Sequence, residues 1–119
     1  MRERFTPKDP VRPYEPAPQE RLSLHAVLIE EREVAGAYLA QKDVEDHPGV
    51  PPLLVVGLRV KRPSLKPVSA DVDCRLAARV ADALDLDAPF YVIPLNRGTR
   101  RLRKRLQRTV APVYARATA

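Results

Sequence analysis

The chain has 119 residues, a net charge of +6, a single cysteine and no tryptophan. Such a length fits one domain. Cys74 alone excludes an intrachain disulfide framework and a thiolate metal site, and no apolar run approaches the ~20 residues that cross a bilayer, so no membrane association is expected. The opening Met-Arg-Glu-Arg-Phe-Thr lacks the apolar centre of a secretory leader, which makes the cytoplasm the expected location.

Charge is unevenly placed. Residues 97–119 carry Arg97, Arg100, Arg101, Arg103, Lys104, Arg105, Arg108 and Arg116 with no acid, whereas the remainder holds 13 basic and 15 acidic side chains. A mildly acidic body is joined to a strongly basic end.

Residues 1–19 contain Pro7, Pro10, Pro13, Pro16 and Pro18. Each fixes φ near −65° and removes a backbone donor, so the segment reads as an extended arm outside a domain at 20–119. Leu22–Glu33 is ambiguous: Leu22, Leu24, Ala26 and Leu28 alternate as in a strand, while the Leu22, Ala26, Ile29 spacing suits a helix. Val34–Gln41 reads as a strand, because Gly36 would cost a helix about 1 kcal/mol. A polar connector at 42–52 leads to Leu53–Val60, the clearest strand, apolar on both parities in its first half. Two strands so joined are expected to pair antiparallel.

After a connector with Pro63 and Pro67, Ser69–Leu84 has the signals of a helix. Ser69 is placed to cap it, Asp71 and Asp73 suit its positive end, and Val72, Leu76, Val80, Ala83 and Leu84 form its apolar stripe. Pro89–Leu95 is a third strand, which the helical crossover should set parallel to the second. Pro94 points to a sheet edge or an early exit from the ladder. The last helix runs from Thr99, as cap, to Thr109. Leu102, Leu106 and Val110 fall within about 80° of the wheel, and Arg100, Arg101, Lys104, Arg105 and Arg108 occupy a separate arc of about 140°.

Three stretches resemble the C-terminal domain of the enhanced-serine-sensitivity (SseB-type) protein family. They are Ser23-Leu24 leading into Val34–Gln41, then Pro52–Leu58, then Ala111-Pro112-Val113-Tyr114-Ala115-Arg116. The resemblance implies that Leu22–Glu33 is a helix, and it links the chain to serine tolerance rather than to a reaction. Family members carry a further domain before this one, where the present chain has the proline-rich arm, and their last helix is less basic.

The expected fold is α+β: a small three-stranded mixed sheet, helices packed mainly on one face, in the order α-β-β-α-β-α. Strand Leu53–Val60 then needs cover on its second face, by the arm, a helix or a second chain. No catalytic, cofactor or metal site is expected, since no phosphate-binding glycine loop, nucleophile elbow or zinc spacing occurs. The acidic connector Asp43, Glu45, Asp46 and His47 matches no calcium loop. Cys74 reads as a small buried or half-buried side chain, and His25 is its sole prospective partner for thiol chemistry. Tyr38 and Tyr91 read as packing residues, and Tyr114 as packing back on the domain.

The candidate binding residues for an anionic partner are Arg97, Arg100, Arg101, Lys104, Arg105 and Arg108. Cations in a first turn oppose the helix dipole, and no acid at i±4 relieves their mutual repulsion. A solvated face in an arginine-rich chain is the simpler account of such a helix, and no aromatic residue between Gly98 and Val113 is available to stack on bases. The expected function is a self-associating interaction or regulatory domain, a homo-oligomer or the partner of another protein. The alternative is an RNA- or DNA-binding protein, and a third reading is a small enzyme.

Overall fold

The apolar run Leu53–Leu58 is buried on both of its faces, covered by elements on either side of the sheet. The computed structural model describes residues 10–42, 53–61, 70–96 and 99–115. In chain order these form β1 (Val11–Pro13), α1 (Pro18–Glu30), β2 (Val34–Lys42), β3 (Leu54–Val60), α2 (Ala70–Ala83), β4 (Phe90–Leu95), α3 (Arg100–Thr109) and β5 (Tyr114–Ala115).

β2 and β3 pair antiparallel, with Tyr38 opposite Gly57, and β3 and β4 pair parallel, with Val56 beside Val92. Both directions follow from the connections: a short polar link for the first pair, a helical crossover for the second. The sheet is mixed and has five strands in the order β1-β2-β3-β4, with β5 also on β2. The expected three-stranded sheet and its element order therefore need correction. β1 lies along Ala40–Lys42 and β5 along Gly36–Ala37, so two short pieces complete the outer side of β2. β1 falls within the proline-rich segment, an edge being the place where a sheet accepts proline.

The helices divide between the two faces. Leu24 and Leu28 of α1, with Leu76 and Val80 of α2 and Leu84 just beyond it, pack with Leu39, Leu54, Val56 and Leu58 on one side. Leu102 and Leu106 of α3 pack with Tyr38, Ala40, Val55 and Leu95 on the other. The second face of β3, for which a second chain was one expected cover, is thus closed by α3. Each of the two leucines is fully buried, worth about 1.5–3 kcal/mol.

α1 is a helix, as the resemblance implied, but it begins at Pro18, inside the segment expected to be an arm. Proline suits the first helical position, where its missing N–H would be unpaired in any case. The Glu20 carboxylate then reaches back to the Ala17 N–H at 2.9 Å, which is half of a capping box, since Ala17 has no polar side chain to reciprocate. Leu24 and Leu28 turn inward, whereas Leu22, Ala26 and Ile29 face outward.

α2 is rotated relative to the expected stripe. Leu76, Ala77, Val80 and Leu84 are buried as a helical face, but Val72 and Ala83 are exposed and Asp73 is buried. The rotation follows from polar pairing: Asn96 Nδ2 donates to Asp73 Oδ2 at 3.2 Å, drawing the carboxylate inward. Ser69, Pro63 and Pro67 lie outside the described residues, as does the connector with Asp43, Glu45, Asp46 and His47. Among the described residues no helix is long and apolar enough to cross a membrane.

Candidate anion-binding face

α3 is held by its apolar stripe and displays the remainder of its surface. Arg100, Arg101, Arg103, Lys104 and Arg108 are exposed and Arg105 is half-buried beside the docking stripe. Arg97 lies outside the described residues. Thr99 is the N-terminal flanking residue, but its side chain does not cap the helix. Its hydroxyl instead donates to the Pro94 carbonyl at 2.9 Å and accepts from Asn96 N–H at 2.9 Å. These bonds, with the Asn96–Asp73 contact, tie the end of β4 to the start of α3.

Arg101, Lys104, Arg105 and Arg108 recur at i, i+3, i+4 and i+7 and, with Thr109, line a shallow open groove of about 330 Å³ along one flank of α3. Arg100, Arg101, Arg103, Lys104 and Arg108 form no ion pair with any described residue. The described ion pairs belong to the other side of the molecule: Arg21 with Glu15 at 2.6 Å, and Arg79 with Glu31 at 3.2 Å and Glu33 at 3.9 Å. The Glu31 and Glu33 carboxylates hold the Arg79 guanidinium above its ordinary pKa, chiefly because Glu31 accepts hydrogen bonds from it.

The fold separates charge by sheet face. All ten acids among the described residues lie on α1, α2 and the connections flanking them. No strand and no position of α3 carries one. The charged strand residues that share parity with the α3-facing Tyr38, Ala40 and Val55 are Lys42 and Arg59, both cations. Arg59 lies over Gly36, its Nε 3.5 Å from where a Cβ would stand. A positive layer free of acids among the described residues raises the local concentration of anions and steers them inward.

The other residues singled out in the sequence are dispersed. Cys74 is exposed on α2, not buried, because the rotation that takes Asp73 inward carries the next residue out. His25 is exposed on α1 and meets Tyr114 edge-on, with ring centroids 5.7 Å apart. No hydrogen bond joins His25 to Cys74. Tyr38 and Tyr114 are core residues. Tyr91 is not a packing residue: it is 40% exposed, because β4 is an edge strand. No cluster of three metal-ligating side chains occurs among the described residues.

Sequence reasoning passed over Glu20, which is 1% exposed at the base of α1. Its Oε1 accepts from Tyr14 Oη at 2.8 Å and Ala17 N–H at 2.9 Å, and its Oε2 from Asp87 N–H at 3.1 Å. Burial pushes its pKa up, but these three donors outweigh burial and set it below its ordinary 4.5. Tyr14 moves oppositely: burial, the hydrogen bond to Glu20 and the nearby negative charges push it up to about 12. The readable signal was Pro18 followed two residues later by Glu20, a helix-start pattern.

Compared with protein-family models, curated proteins and solved structures, the chain matches none.

Proposed function

We propose that this domain is a non-catalytic interaction module whose contact surface is α3 and whose partner is polyanionic. One observation carries the reading: every described acid lies on the α1 and α2 side, and Arg100, Arg101, Arg103, Lys104 and Arg108 form no ion pair with any described residue. Loading a first turn with Arg100 and Arg101 works against the helix dipole, a cost that an anionic partner offsets. The reading places the protein in the cytoplasm and keeps the likeness to SseB-type proteins, with their link to serine tolerance, as its biological setting.

The test is retention on an immobilised sulfated polysaccharide across a salt gradient. The wild type should bind at low salt and elute as ions screen the contact, and Arg101→Glu with Arg105→Glu should flow through. A wild type that is not retained at low salt would remove the reading.

Self-association is a second reading, favoured by the outer edge of β4, along which no described strand pairs. Such an edge presents unpaired backbone groups to another chain. Light scattering across a concentration series should then show a dimer, and a monomer throughout would end it.

A further inference from the structure

We infer that the α3 side of the sheet binds single-stranded nucleic acid, with phosphates on Arg101, Lys104, Arg105 and Arg108 and a base stacked on Tyr91. The inference rests on the polyanion reading of α3 and adds the identity of the polyanion.

The added observation is the position of Tyr91. In the parallel β3–β4 ladder Tyr91 is beside Val55, Ile93 beside Gly57 and Leu95 beside Arg59. Val55, Leu95 and Ile93 belong to the cluster beneath α3, so Tyr91 projects from that same face. Phe90 and Val92, of opposite parity, pack toward α1 and α2. Tyr91 is also the one exposed residue among the described tyrosines and phenylalanines. The stretch from Gly98 to Val113 offers no aromatic, and the sheet supplies the missing ring from another element.

Cations and an aromatic ring displayed on one face are how proteins hold single strands without reading sequence: basic side chains follow the backbone while a ring receives a base. An acidic protein surface would use the cations but has no need of the ring. A duplex keeps its bases stacked on one another and leaves Tyr91 nothing to receive. At 1.5 Å rise per residue, Arg101 to Arg108 covers about 10 Å of track. Arg59 and Lys42 add positive charge to the face, and no acid among the described residues interrupts it.

Fluorescence anisotropy with a labelled twelve-nucleotide oligothymidylate separates the two layers of the argument. The single strand should bind with log K falling against log salt at a slope of about −3, four phosphates at ~0.7 each. Tyr91→Leu, an apolar strand-compatible change at an exposed edge, should weaken binding about tenfold and leave the salt slope unchanged. Tyr91→Phe should retain wild-type affinity, and circular dichroism confirms that both variants fold. Arg101→Glu should flatten the slope. Tyr91→Leu binding like wild type, or a duplex of the same length or polyglutamate binding as tightly as the single strand, would overturn the inference while leaving α3 as a polyanion surface. Absence of binding to all three probes at low salt would overturn both.

Discussion

Leu106 sits over Gly57 so closely that a Cβ on the glycine would stand 2.6 Å from Leu106 Cδ1. The Leu95 methyls, at 3.2 and 3.3 Å from the same point, close off the neighbouring space. Gly57 is therefore the place where the sheet makes room for α3. Gly57→Ala should destabilise the domain by about 1–3 kcal/mol through overpacking, seen as a lower urea midpoint. The penalty should shrink when Leu106 is shortened as well. A Gly57→Ala, Leu106→Ala double variant that loses less than the two single losses combined would show that the two residues share one space.

How α3 docks was legible in the sequence: Leu102 and Leu106 repeat at helical spacing against an arc of cations, and the structure buries both. β3 was legible too, because a strand apolar on both parities must be covered on both. The rest depended on partners far along the chain. Nothing local makes Val11 a strand residue between two prolines; it becomes one because the outer side of β2 at Ala40–Lys42 accepts it. Asp73 reads as a dipole-compensating surface acid until Asn96, 23 residues later, draws it inside. Tyr91 reads as core because Phe90–Ile93 is aromatic or β-branched throughout, and such a run does not reveal that β4 is an edge. The exposed ring was missed for the same reason.

Glu20 closes the base of α1 by accepting three donors with two oxygens. Glu20→Gln leaves one acceptor oxygen and turns an amide donor toward groups that also donate. The variant should lose about 1–3 kcal/mol, the cost of unpaired buried polar groups. Chemical denaturation at neutral pH measures it, and an unchanged midpoint would mean that the network does not hold α1 in place.

The same cluster sets a stability profile with two limbs. Glu20 titrates below its unfolded value of about 4.5, so its contribution is complete above that pH and is lost as pH falls through the folded value. Tyr14 titrates near 12 when folded against 10.0 when free, so its contribution is complete below pH 10 and declines between 10 and 12. Tyr14→Phe removes one donor from Glu20. Unfolding midpoints across pH should show this variant losing stability at a higher pH on the acid side and less steeply than wild type on the alkaline side.

Under the proposed anion-binding reading, Arg101 sets binding against stability. It lies in the first turn of α3, at the positive end of the helix dipole, with Lys104 and Arg105 three and four residues ahead. A cation there is disfavoured by about 0.3–1 kcal/mol, and its like-charged neighbours add repulsion. Arg101→Glu reverses both: the carboxylate suits the dipole and stands N-terminal to Arg105, the better orientation for an i, i+4 pair. The free domain should then unfold at a temperature higher by about 2–5 °C, while retention on an anionic matrix falls. If thermal unfolding shows no gain, the first turn of α3 is not under electrostatic strain, and the claim that an anionic partner offsets that strain loses its physical basis.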